Sequence, residues 1–148
     1  MLMTIAELKK ANALYVENIR QGFDRYAWEV YTLNELQAYE TLLEEWKRGN
    51  CKNAFADFYY FTLRPAERER VDSVLTEREK AYLDSIRPAE GKEAEEILFP
   101  LTCMLLSLLV KLNACEMLFS TVYFTQNRST WWGNYNQGYV VFTERKDA

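Results

Sequence analysis

The stretch STVYFTQNRSTWWGNYNQGYVVFTE, residues 120–144, decides the fold class. Its β-branched and aromatic residues gather in Ser120–Thr125, Thr130–Tyr135 and Tyr139–Glu144, separated by Gln126-Asn-Arg-Ser129 and Asn136-Gln-Gly138. Runs of this composition bounded by turn residues read as strands. Gly138 is placed to take the left-handed position of a three-residue hairpin loop. The stretch therefore predicts an antiparallel hairpin or a three-strand meander. In the simplest register Trp132, Val140 and Phe142 share one face, while Trp131, Tyr135, Tyr139 and Val141 share the other. Both faces are apolar, so each needs a cover.

The segment just before it supplies one. Ile97 to Val110 is the longest apolar run, interrupted by Pro100, Thr102 and Ser107. It falls short of the ~18–20 uninterrupted apolar residues that a membrane span requires. Pro100 disfavours helical geometry at Phe99, so a helix should start or kink there. Leu101, Leu105, Leu108, Leu112, Cys115 and Phe119 then recur at helical spacing, while Leu106, Leu109 and Val110 make other faces apolar. The predicted helix either threads the middle of the fold or offers Leu101, Leu105, Leu108 and Leu112 as an interface between copies of the chain.

Upstream, helix signals dominate. Thr4-Ile-Ala-Glu7, Thr32-Leu-Asn-Glu35 and Thr76-Glu-Arg-Glu79 match the capping box, in which a hydroxyl accepts from an amide three residues on and the carboxylate there accepts in return. A first helix is expected from Thr4, carrying Ile5, Leu8, Tyr15 and Ile19, with Gly22 as its stop. A second runs from Thr32 with Leu36, Tyr39, Leu43 and Trp46 on one stripe and Gly49 at its end. Between them, Tyr26, Trp28 and Val30 alternate with Arg25, Ala27 and Glu29, the period of a half-buried edge strand; a short helical extension competes. Residues 51–63, CKNAFADFYYFTL, fit helix or strand. Residues 65–87 make two short helices or one bent one, and Arg87-Pro-Ala-Glu-Gly91 reads as a linker.

With 148 residues, 49% of them hydrophobic and only five Gly and three Pro, the chain can bury a core and is neither disordered nor low in complexity. The expected architecture is one mostly helical α+β domain over 1–148. Three to five helices, over about 1–119, pack on a small C-terminal antiparallel sheet over about 120–145, with a central apolar helix beneath it.

Function is approached by exclusion. There is no histidine, so histidine-based nucleophilic catalysis and histidine-ligated metal sites are absent from this chain. The five glycines are too scattered for a phosphate cradle, and no nucleotide-binding or nucleophile-elbow motif occurs. Cys51, Cys103 and Cys115 form no CxxC pair and read as reduced, buried thiols. The N-terminus MLMTIAELKK has no signal-peptide pattern, which makes a cytoplasmic location the expectation. A net charge of −4 gives no electrostatic drive toward nucleic acid. No cofactor and no metal are expected.

What stands out is the aromatic hairpin, since Trp and Tyr are enriched at binding hot spots. The expectation is a small non-catalytic interaction or regulatory protein, of the kind phages and mobile elements use as inhibitors. It would bind a protein partner through Trp131, Trp132, Tyr135 and Tyr139. The alternative is a small-molecule binder or histidine-independent enzyme, with a pocket between the central helix and the sheet.

Overall fold

A computed structural model describes residues 2–146. The elements run α1 (Ile5–Lys10), α2 (Ile19–Arg25), β1 (Ala27–Thr32), α3 (Glu35–Arg48), β2 (Ala54–Asp57), a 3-10 turn at Tyr60–Thr62, α4 (Pro65–Asp72), α5 (Glu77–Ile86), β3 (Leu98–Pro100), α6 (Cys103–Ala114), β4 (Thr121–Phe124), β5 (Ser129–Asn134) and β6 (Gly138–Thr143).

The strands form one antiparallel sheet in the order β1-β6-β5-β4-β2-β3. This overturns the expected small C-terminal hairpin or meander. Among the described residues the sheet has six strands, and the chain is 41% helical and 21% strand. The C-terminal meander β4-β5-β6 is only its middle. On one side β6 pairs with β1; on the other β4 pairs with β2, which pairs with β3. The added strands escaped notice for a physical reason. β2 and β3 span four and three residues, too short to display a period, and each is stabilised by partners distant in sequence. β1 does take the edge place its alternation suggests, although all six of its residues are exposed and none is half-buried.

Sheet alternation divides the core in two. Ala54, Ala56, Phe99, Val122, Phe124, Trp131, Tyr139 and Val141 point to the face covered by α3, α5 and α6, in the main core cluster. α6 buries Leu105, Leu106, Leu108, Leu109, Val110 and Leu112 there, and so is apolar on most sides. Lys111 of α6 pairs with Glu79 of α5 at 2.8 Å, and the Tyr82 and Thr102 hydroxyls are hydrogen-bonded at 2.7 Å.

Leu98, Tyr123, Val140 and Phe142 point the other way, where the N-terminal segment lies over the sheet. Here the first helix departs from expectation: α1 ends by Ala11, and Asn12 adopts φ 77°, a left-handed conformation that Asn tolerates. Gly22 is not a stop but sits buried inside α2, which approaches the sheet so closely that a Cβ there would lie 2.6 Å from Phe142 Cε1. Between α1 and α2 the chain crosses the sheet as an irregular strap. Its carbonyls are met by hydroxyls from the sheet: Thr130 Oγ1 donates to Leu14 O (2.7 Å) and Tyr123 Oη to Val16 O (3.2 Å). Two buried polar side chains on an apolar face thus hold the strap in place.

Smaller departures follow the same logic. The capping boxes at Thr4/Glu7 and Thr76/Glu79 form. The second moves to Asn34/Gln37, and α3 buries Ala38, Leu42 and Trp46 while Leu36 is exposed. In the β5–β6 loop the positive φ falls on Asn136 and Gln137, not on Gly138. All three cysteines are free and exposed, because Cys51 lies in a turn and Cys103 and Cys115 mark the two ends of α6, not its middle.

Candidate functional site

A cavity of about 310 Å³ opens on the strap side of the sheet. Its floor comes from β2 and β4, which present Asp57, Thr121 and Tyr123; Tyr15, Val16 and Glu17 of the strap form one wall. Phe119, Ser120 and the run Trp132–Tyr135 form the other, with Tyr59, Ile97 and Leu98 beside β3. The volume sits at the small end of the ~300–1,000 Å³ common for ligand pockets.

Asp57 is the chemically distinctive group. Thr121 N donates to its Oδ1 at 2.7 Å, and the Thr121 hydroxyl stands beside the same carboxyl. Burial pushes its carboxyl up to about 7, against the opposing effect of the Thr121 hydrogen bonds. Near neutral pH the cavity floor therefore switches between acid and anion. The surrounding phenols do not switch with it: burial, then the Asp57 charge, pushes Tyr59 up to about 12, and Tyr15 and Tyr123 are raised for the same leading reason. They stay protonated donors.

Other groups complete the chemistry. Ser120 Oγ is buried with no hydrogen-bond partner among the described residues. The Tyr15 and Tyr123 rings stack at 6.0 Å, and Phe119 meets Tyr135 edge-on at 4.7 Å. The lining contains two carboxyls, Asp57 and Glu17, and no lysine or arginine.

The hairpin aromatics are divided among different surroundings. Trp131 and Tyr139 are buried on the helix side, where Trp131 stacks on Tyr31 at 5.9 Å and donates from Nε1 to Ser129 Oγ at 3.0 Å. Trp132 is half-buried and Tyr135 is 63% exposed, and both line the cavity. Tyr135 lies past the end of β5, so strand alternation no longer governs it. Leu101, Leu105, Leu108 and Leu112 are buried within the chain.

The cavity is on the opposite side of the sheet from α6. A second, more open depression of about 280 Å³ lies between α3 and α6, lined by Glu35, Leu36, Tyr39, Ser107 and Val110. Asp57 was missed in the sequence, although one signal pointed to it: it is the sole charged residue in Ala54–Leu63, an otherwise apolar and aromatic run. A lone acid in such a run is either a surface break or a buried carboxyl.

No helix among the described residues is long and apolar enough to cross a membrane. Comparison of the chain with protein-family models, with curated proteins and with solved structures found no match.

Proposed function

We propose that this chain is a small-ligand binding protein whose site is the strap-side cavity. The observation that carries the reading is the pairing of an aromatic-lined hollow with the Asp57 carboxyl at its floor and, beside it, Ser120 Oγ, which the fold leaves without a hydrogen-bond partner among the described residues. A few convergent polar groups in a concave, mostly apolar site is the usual composition of a ligand pocket. A fragment set spanning neutral, anionic and cationic compounds tests it, read by NMR at the Trp132 indole N–H and the Gly133 amide. Hits should move both signals and lose their effect in Ser120→Phe, which fills the cavity, with the far-ultraviolet CD spectrum unchanged. If no compound of any charge moves them at millimolar concentration, the reading fails.

A second reading is favoured by a separate feature. β1 is an uncovered edge strand with Trp28 52% and Val30 58% exposed, and Tyr31 beside them. Exposed edges of this kind pair with strands of other chains unless they are blunted. In this reading the chain works in the cytosol as a small regulatory or inhibitory adaptor, and a protein partner adds a strand to β1. Val30→Lys should abolish capture of a given partner that the parent chain captures; equal capture by both excludes β1.

A further inference from the structure

The cavity's charges and rings specify more than a hollow. Its two carboxyls come from different elements, Asp57 at the end of β2 and Glu17 on the strap, with no basic side chain in the lining to neutralise them. Around them stand Tyr15, Tyr59, Trp132 and Tyr135, whose ring faces carry negative potential. The Tyr15 ring is already occupied, by the Lys9 ammonium at 4.9 Å and by the stacked Tyr123 ring at 6.0 Å, which leaves Tyr59 and Trp132 to meet a ligand. An anionic ligand would be repelled by this lining, and a neutral one would leave the floor carboxylate unpaired once it ionises.

Resting on the ligand-binding reading above, we propose that the cavity takes a small organic cation, with its ammonium head against the Asp57 carboxylate and its apolar stem between Tyr59 and Trp132. An ammonium is matched by the carboxylate and an apolar stem by the aromatic walls, so one small ligand answers both features of the lining. The volume limits the stem to something well below drug size.

Binding also carries a pH signature. The groups facing Asp57 are Thr121 and Tyr123 from β4, Tyr59 beyond β2, Leu98 of β3, and Tyr15 with Glu17 on the strap. Its three tyrosine neighbours have raised values and remain neutral, so Asp57 is the switch. With its carboxyl near 7, a permanently charged ligand should bind about tenfold more weakly at pH 6 than at pH 8.

Calorimetry at pH 8 with 2-phenylethylamine, 2-phenylethanol and 3-phenylpropanoate, alongside the NMR signals above, tests the ligand class. The amine should bind at least about tenfold tighter than the alcohol, with the acid weakest. Phenyltrimethylammonium, whose charge does not titrate, should show the tenfold pH loss, and Asp57→Asn should abolish both the pH dependence and the preference for the amine. Nα-acetyl-lysine N-methylamide distinguishes the source of the head group: if it outbinds phenylethylamine the head belongs to a protein side chain, otherwise to a free small molecule. Either order supports the proposal so long as the neutral isostere is weaker. If the alcohol matches the amine while the Gly133 signal still moves, the cation inference is overturned and the ligand-binding reading stands; if no probe moves that signal, both fall.

Discussion

Asp57 Oδ1 and Thr121 N lie 2.7 Å apart at the position where the β2–β4 ladder ends. The last paired residues are Ala56 and Val122, and one step further a side-chain carboxylate accepts the amide hydrogen that a backbone carbonyl would have taken. The carboxyl is thereby fixed at the cavity floor, with Oδ1 committed to the sheet.

Holding an acid there has a stability consequence. The folded-state value is about 7 against an ordinary 3.8, so between them the folded chain binds a proton more tightly than the unfolded chain. Stability should therefore fall as pH rises from about 4 to about 7 and level off above that, by on the order of 2–4 kcal/mol from this group. Asp57→Asn keeps an acceptor for Thr121 N and should remove that slope, leaving the variant more stable than the parent at pH 8. Urea denaturation at pH 5 and pH 8 checks both.

Thr130→Val should loosen the strap. The hydroxyl is fully buried and donates to Leu14 O, so the isosteric change leaves a carbonyl without its partner, at a cost of about 1–3 kcal/mol. Hydrogen exchange should quicken at Val16 and Glu17 more than at α6 amides. Uniform acceleration across the chain would mean that the strap has no separate stability.

Gly22→Ala sets two effects against each other. Alanine gains about 1 kcal/mol over glycine inside a helix. Three Phe142 ring atoms, however, lie within contact-forbidden range of the new Cβ, and overpacking a buried site costs about 1–3 kcal/mol. With Phe142 fully buried and unable to swing away, the clash prevails. The variant should lose up to about 2 kcal/mol in chemical denaturation, and a gain would show that α2 lifts from the sheet without penalty.

The adjacent indoles should behave differently. Trp131→Ala empties a core position stacked on Tyr31 and should cost about 3–5 kcal/mol. Trp132 is half-buried at the cavity wall, so Trp132→Ala should cost distinctly less and weaken ligand binding instead. Equal losses of stability would contradict the division of the two faces.

Lys111→Met tests the link between α5 and α6. Burial alone would raise the Glu79 carboxyl, but its bonds to Lys111 and Thr76 outweigh that and hold it below the usual range. This stability is present above the unfolded-state value and lost as pH falls through the lowered folded-state value. Both partners are mostly covered, so the substitution should cost about 1–2 kcal/mol at pH 7, between surface and fully buried pairs. The difference from the parent should shrink in acid.

Some of this was legible residue by residue. Thr4 with Glu7 and Thr76 with Glu79 announced helix starts because a cap is a bond between residues three apart, complete within the motif. The division of Trp131 from Trp132 was legible for a similar reason: a strand turns alternate side chains to opposite faces wherever it is placed. Near misses were local as well. Thr32 and Asn34 both offer an N-cap oxygen, and the choice of Asn34 follows from β1 running on through Thr32.

The sequence by itself determined the helix caps at Thr4 and Thr76, the strand character of residues 120–144, the apolar α6 and the absence of histidine chemistry, all matters of neighbouring residues or of composition. Tertiary structure alone decided that β2 and β3 join the C-terminal strands, that residues 13–17 strap across the sheet, and that Asp57 faces Tyr15, Ser120 and Trp132 around one hollow. The reason is that strand pairing and cavity walls are contacts between segments far apart along the chain. Their stability comes from burial and hydrogen bonds that exist only once the distant partner has arrived.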